Sequence, residues 1–298
     1  MMSDIAAPNI NENEILIKVR AISINPVDVK TRSGSAMAKH LSEYKPLILG
    51  WDIAGVVVER GNSVENFNIG DDVFGLINFL GHGKGYAEYV AAPADQVAKK
   101  PSNISYGQAA AATLAALTAW QLLNNYAKVK SGDKILIQAA SGGVGHYAVQ
   151  IAKYLGAYVI GISSSANRQF VIELGADKHI AYDLEAFEET VQDIDIIVDA
   201  FAGDNLYKSL KAVKRGGIII SLLPMIGWDI LEKAKEKNVT IHYSLVKSDG
   251  GGMKSIADLL ARGSIKSHVS GTYPFSQMKD AHLSVETGKT IGKVVVTV

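Results

Sequence analysis

A strand that runs into a cluster of glycines and out into a helix restricts this chain more than any other feature. Residues 134 to 145 read Lys-Ile-Leu-Ile-Gln-Ala-Ala-Ser-Gly-Gly-Val-Gly, a short apolar run of the buried type followed by glycines. The residues that follow place Val144, Ala148, Ile151, Ala152 and Leu155 at helical spacing, and Gly156 closes the run as a C-cap. That order suits a pyrophosphate. Gly142 lets the backbone approach the phosphates, with Ser141, Gly143 and Val144 around it, and Gly145 lets the helix pack on the strand. The helix N-terminus supplies unpaired N–H groups and the positive end of its dipole. Ala140 stands where the commonest fingerprint has its first glycine. A bare glycine triplet marks only a loop; the strand before it and the helix after it make this one a dinucleotide turn.

The next strand bears on which dinucleotide. An NAD site usually ends its second strand, about 20 residues beyond the glycines, with an acid that binds the ribose hydroxyls. Here the sequence is Gly161-Ile-Ser-Ser-Ser-Ala-Asn-Arg168, with no acid until Glu173. Ser163, Ser164 and Arg168 can donate hydrogen bonds to a 2′-phosphate, and Arg168 adds charge. NADPH is therefore favoured over NADH. The alternative is that Ser165 caps the next helix and Arg168 is a solvated surface residue.

Apolar strands alternate with helical segments around this motif. Lys134 to Gln138, Tyr158 to Ile162, Lys178 to Ala181, Ile194 to Val198, Gly217 to Ser221 and Val239 to Tyr243 read as strands, with helices in the gaps. The spacing predicts a doubly wound parallel sheet. The first hundred residues differ. Glu14 to Ile24, Gly55 to Glu59, Asp72 to Leu76 and Tyr86 to Ala91 are short β-branched and aromatic runs between glycines, which predicts an antiparallel β-rich unit. A helix around Ser276 to Glu286 and a strand over Thr290 to Val298 are expected to return to that unit.

Composition narrows the function. Of 298 residues, 48% are hydrophobic, enough for a large core and against disorder. Lys and Arg equal Asp and Glu at 30 each, so no overall field draws the chain to nucleic acid or anionic membranes. There are no cysteines, which excludes disulfides, thiolate nucleophiles and Cys-based zinc sites. The most apolar stretch, Ala109 to Trp120, is too short to cross a bilayer, and no signal sequence opens the chain. A cytoplasmic protein is the expectation.

Asn25-Pro-Val-Asp28, Leu49-Gly-Trp-Asp-Ile-Ala-Gly55, Ile69-Gly-Asp-Asp-Val-Phe-Gly75, Gly85-Tyr-Ala-Glu-Tyr89, Leu117-Thr-Ala-Trp120, the glycine turn and Gly292-Lys-Val-Val295 occur in one order along the chain. In this the chain resembles the zinc-independent quinone oxidoreductase branch of the medium-chain dehydrogenase/reductase superfamily. The resemblance implies a Rossmann-type domain over residues 106–244 and a β-rich GroES-like catalytic domain from residues 1–105 and 245–298, with the active site in the cleft. It also implies a homodimer paired through the sheet edge near Gly216 to Leu223 and Val239 to Leu245.

The resemblance places Asn25 and Asp28 beside the nicotinamide, with Thr118 approaching the same end. It assigns Gly142, Gly143 and Val144 to the pyrophosphate, and Ser163, Arg168 and Tyr182 to the adenosine phosphate. Phe201, Leu222, Leu223 and Lys293 fall near the cofactor-contacting loops and the closing strand. Zinc-dependent relatives have Cys where this chain has Asn25, and His-Glu where it has Trp51 and Asp52. Asp28 holds either a catalytic role or a structural one.

Without a Lewis acid, hydride transfer suits acceptors that are already activated, such as quinones and α,β-unsaturated carbonyls. Tyr44 and Tyr86 are candidate proton donors or ordinary half-buried tyrosines. Two further readings stay open. An enoyl-thioester reductase would share fold and coenzyme, but residues Lys30 to Lys39 lack the tyrosine usual in that group. A non-catalytic NADPH-binding protein would keep the glycine turn and lose turnover.

Overall fold

The computed structural model describes residues 3–224 and 226–298. Two units divide the chain: one runs up to Leu117 and resumes over Lys247–Val298, and the other is Thr118–Val246.

Along the first unit come β1 (Glu14–Ile24), α1 (Pro26–Arg32), β2 (Asp52–Arg60), β3 (Asp72–Leu76), β4 (Tyr89–Pro93), β5 (Val97–Lys99) and α2 (Tyr106–Ala111). Helix α3 (Leu114–Trp120) leads into the second unit, with β6 (Lys134–Ile137), α4 (Gly145–Tyr154), β7 (Tyr158–Ser163), α5 (Arg168–Glu173) and β8 (Lys178–Ala181). It continues through α6 (Phe187–Thr190), β9 (Ile194–Asp199), α7 (Asp204–Ala212), β10 (Val213–Ser221), α8 (Trp228–Glu236) and β11 (Thr240–Tyr243). The return consists of α9 (Gly250–Ala261), β12 (Val269–Pro274), α10 (Met278–Glu286) and β13 (Lys293–Thr297).

The first unit is built on a seven-stranded sheet in the order β12-β13-β1-β2-β3-β5, with β4 also on β1. All its pairings are antiparallel except β12 with β13. Strand β1 shows how pattern becomes packing. Ile15, Ile17 and Val19 alternate onto the core face, a register shift follows between Val19 and Ala21, and the core face is then taken up by Ile22 and Ile24. A bulge changes the phase of a period-two strand, so side chains on both sides of it reach the same core. The opposite phase puts Ser23 out of that core and brings Asn25 to the strand end.

The second unit carries six parallel strands in the order β8-β7-β6-β9-β10-β11, each gap in sequence filled by a helix. The strand order reverses between β6 and β9, the switch point at which open α/β sheets take ligands at their carboxyl ends. Leu136, Ile160, Ile162, Ile197 and Ile219 form its core with α7 and α8. Residues 106–117 go with the first unit because α2 packs on β1, β2 and β13. Among the described residues, no helix is long and apolar enough to cross a membrane.

Candidate functional site

Asn25 directly follows β1 and caps α1, with Pro26 at the first helical position, where its fixed φ suits the turn. The Asn25 backbone N–H donates to Asp28 Oδ2 at 2.7 Å, tying the cap to the third helical residue. The side-chain amide is left to bridge other elements. Its Nδ2 donates to Asp52 Oδ2 at 2.7 Å, and its Oδ1 accepts from the Lys293 ammonium. Lys293 Nζ also donates to the Ile24 carbonyl at 3.1 Å, and Asp52 Oδ1 accepts the Leu114 N–H at 3.0 Å. Asn25, Asp28, Asp52 and Lys293 are all buried.

One cation and two carboxyl groups therefore share an enclosed space. Burial raises the pKa of Asp52, against the opposing pull of Lys293 and of the hydrogen bonds from Asn25, Thr113 and Leu114. Asp28 is pushed up to about 7, first by burial and then by the charge of Asp52. Lys293 is lowered by burial and held up by the two carboxylates. The group balances its charge when Asp28 keeps a proton and Lys293 faces Asp52.

Next to Asp52, Trp51 is buried and its indole N–H donates to the Gly81 carbonyl at 2.8 Å, which fixes the loop after β3. Tyr86 reaches His282 on α10, its hydroxyl 3.1 Å from Nε2. Tyr44 lies elsewhere: it is 46% exposed, stacks on His82 at 4.3 Å, and borders a cavity of about 510 Å³ together with Ile5, Pro8 and Tyr89. Thr118 is buried one turn beyond Leu114 in α3. Among the described residues, no group of three His, Asp or Glu is placed to hold a metal ion.

In the second unit, the remaining sequence-derived positions fall on one rim, the carboxyl ends of the parallel strands. Ser141 to Val144 follow β6, Ser163 ends β7 and Ser164 and Arg168 follow it, and Tyr182 follows β8. Phe201 comes after β9, and Leu222 and Leu223 after β10. The turn is tight: Gly142 N–H donates to Ala139 O at 2.8 Å, and Ala139 has a φ of 48°. A Cβ on Gly145 would come within 2.0 Å of Ala139 O, so only glycine lets α4 start there. On Gly142 it would meet Ala139 O at 3.2 Å, leaving the outer side open. Helix α4 begins at this point; its His146 N–H donates to the Gly142 carbonyl at 3.0 Å and its Tyr147 N–H to the Val144 carbonyl at 3.2 Å, which ties the turn to the helix. These residues fit a dinucleotide pyrophosphate.

Two residues of this rim escape sequence reasoning. His179 on β8 is buried, with Nε2 2.7 Å from Ser163 Oγ. Asp183 accepts from the Ser165 N–H and hydroxyl at 2.8 and 2.7 Å, so an acid does stand at the end of β7, delivered by the following strand. Arg168 and Tyr182 are exposed. Lys293 belongs to the first unit, where its ammonium donates to Asn25 and Ile24. Asp52 and Lys293 carry a signal that could have been read, an ionisable residue directly before an apolar run at the start of a strand.

The alcohol dehydrogenase GroES-like domain family matches residues 11–102, and the zinc-binding dehydrogenase family matches residues 174–296. The 2-methylene-furan-3-one reductase of Solanum lycopersicum is 34% identical, covering 99% of this chain and 74% of its own. The quinone oxidoreductase of Coxiella burnetii has a solved structure that superposes with a TM-score of 0.93 at 38% identity, over 99% of this chain and 94% of that one.

The chain belongs to the medium-chain dehydrogenase/reductase superfamily, in its quinone oxidoreductase-like branch.

A further structure from this branch, Escherichia coli quinone oxidoreductase complexed with NADPH, superposes at a TM-score of 0.87 with 28% identity, over 100% and 95% of the two chains. The fold is that of the superfamily, a parallel α/β unit and a GroES-like unit. One matching family is named for zinc; this member of the superfamily has no cysteine, Asn25 donates to Asp52, and Trp51 donates to the Gly81 carbonyl. The relatives are oxidoreductases, and the rim fits a nicotinamide dinucleotide.

Proposed function

We propose that this chain is an NADPH-dependent, zinc-independent oxidoreductase that reduces quinones or α,β-unsaturated carbonyls. The observation that carries the reading is the Lys293–Asn25–Asp52 array, a buried polar group built from hydrogen-bond donors and a fixed cation. Bound NADPH supplies the hydride. The rim of the second unit binds and orients the coenzyme, with Gly142 to Val144 at the pyrophosphate and Ser163, Ser164 and Arg168 at the 2′-phosphate.

An amide nitrogen carries two N–H groups, and Asp52 takes one of those on Asn25. The other is available to an oxygen on which charge grows as an enolate or phenolate forms. A fixed donor of this kind is worth about 3 kcal/mol in a site closed to water. Lys293 and Asp52 hold the amide plane, so little reorganisation is needed. Acceptors that are already electron-poor suit such a site, since it offers a hydrogen bond where a metal would offer a Lewis acid. The relatives' names fit this class: two are quinone oxidoreductases and one reduces a 2-methylene-furan-3-one, an enone. A homodimer joined through β11 is part of the proposal, supported by the exposed residues of that edge strand.

The test is a steady-state assay of NADPH oxidation with a simple quinone, an enone and an enoyl thioester. Turnover with the first two supports the reading. Turnover with the thioester alone makes it an enoyl-thioester reductase, and tight NADPH binding with no turnover makes it a binding protein.

A further inference from the structure

Asp28 is satisfied on one side only. Its Oδ2 accepts the Asn25 N–H, while Oδ1, fully enclosed, receives no hydrogen bond. The Tyr86 hydroxyl faces two groups, the Asp28 carboxyl, whose charge and hydrogen bonding raise its pKa after burial, and His282 Nε2 at 3.1 Å. His282 is 2% exposed, and its Nδ1 has no partner.

The geometry is held from several sides. A Cβ on Gly50 would come within 2.2 Å of the Tyr86 ring, so the ring fills a slot that exists only because residue 50 has no side chain. The Tyr86 N–H donates to the Leu49 carbonyl at 2.9 Å, and the imidazole meets the ring edge-on at 5.6 Å and 85°. With the ring fixed, only the hydroxyl proton can turn.

The charged groups around His282 are few. Arg32 on helix α1 acts on His282 and is itself paired with Glu286 of α10; Asp28, also on α1, acts on Tyr86, and Asp52 of β2 and Lys293 of β13 act on Asp28. Strand β12 brings only Tyr273, and β1 ends here in Ile22, Ser23 and Ile24. Burial and then Arg32 disfavour an imidazolium and bring His282 down to about 4. It is neutral at pH 7, with one ring nitrogen able to accept.

We propose that Tyr86 and His282 are positioning residues that keep Asp28 as a neutral acid. His282 Nε2 accepts the Tyr86 O–H, and the Tyr86 oxygen accepts the proton carried on Asp28 Oδ1. Every polar atom of the chain except Nδ1 is then bonded, and no second negative charge faces Asn25 beside Asp52. If Asp28 lost that proton, the added charge would oppose an oxyanion at the Asn25 amide. This consequence for turnover rests on the function proposed above; the arrangement of protons does not.

The deciding experiment is a carbon-13 NMR titration of the Asp carboxyls in the coenzyme-free protein, with Asp28 assigned by loss of its signal in Asp28→Asn. The wild-type Asp28 midpoint is expected in the neutral range. In Tyr86→Phe the acceptor is gone and the midpoint should fall by about one pH unit or more. In His282→Leu the hydroxyl turns to donate to the carboxylate, and the midpoint should fall at least as far. His282→Gln, whose amide oxygen can accept the O–H, should restore it. A wild-type midpoint at the usual carboxylate value, or one that neither Tyr86→Phe nor His282→Leu moves, overturns the proposal. With a working quinone assay, the alkaline limb of kcat/KM should follow the same midpoints. If no acceptor is turned over, the functional reading fails while the titration still judges this one.

Discussion

Lys293, at the start of the last strand, donates its ammonium to the side-chain carbonyl of Asn25, at the end of the first strand, although the two are 268 positions apart. The bond places a charge from the chain's return segment directly on the residue that the proposed chemistry uses. Closure of the seven-stranded sheet and construction of the site are therefore one event.

Lys293→Met removes the cation whose charge favours ionisation of both Asp28 and Asp52. Breaking a buried charge arrangement by deleting one partner costs about 3 kcal/mol or more. Urea denaturation should show that loss, and Asp52→Asn should show one of similar size. The double variant should lose less than the sum, because the second change removes the charge stranded by the first. Strict additivity would mean that the two side chains are energetically independent.

The glycine turn separates a folding role from a binding role. Gly145→Ala drives a Cβ into the Ala139 carbonyl and should lower the melting temperature markedly. Gly142→Ala needs only a few tenths of an ångström of give against the same oxygen, so it should fold with a loss under about 1 kcal/mol. Its added methyl would still obstruct a pyrophosphate, and NADPH affinity should drop more than about tenfold. Titration of the folded variant with NADPH checks this; unaltered affinity would remove the turn from the coenzyme site.

Coenzyme preference should respond to two residues of opposite charge. Arg168→Ala should weaken NADPH by about 10- to 100-fold, the worth of one or two hydrogen bonds to a charged group, and leave NADH nearly unchanged. Asp183→Asn, which keeps an acceptor for Ser165 but removes the negative charge, should shift preference further toward NADPH. Parallel titrations with both coenzymes read the effect. An equal loss for NADPH and NADH in Arg168→Ala would place that residue outside the phosphate site.

Stability should carry two opposed pH dependences. Asp28 goes from an ordinary 3.8 to about 7 on folding, so its stabilising contribution is complete below pH 3.8 and vanishes as pH rises through 7. His282 goes from 6.5 to about 4, so its contribution is complete above pH 6.5 and vanishes as pH falls through 4. Between about pH 4 and 6.5 the slopes, each up to about 1.4 kcal/mol per pH unit, oppose one another. Relative to wild type, Asp28→Asn should gain stability as pH rises across that window, and His282→Gln should lose it. Denaturation at pH 5 and pH 6.5 measures both, and a difference that does not change with pH contradicts the assignments.

Periodicity made the second unit readable: all six parallel strands lie where apolar runs alternate with helical spacing, and the rim residues follow from the strand ends. Strand ends are a local property. Asp183 was invisible because it comes from the next strand and reaches Ser165 only once β8 pairs with β7. Strand β4 begins at Tyr89, three residues after the β-rich run starts, because Tyr86 is drawn onto Gly50 and His282 instead of into the sheet. Lys293 presents the same limit: its position before three valines marks it as unusual, but its partner on β1 depends on sheet order, which no window of sequence contains.

Strand β13 seats Lys293 beside a partner made 268 positions earlier. During synthesis every strand of the parallel unit is made before residue 293, and the Asn25 amide has no Lys293 ammonium to orient it until that residue has been translated and threaded back. The parallel sheet and the oriented Asn25 amide would thus be completed at different moments in the life of each molecule.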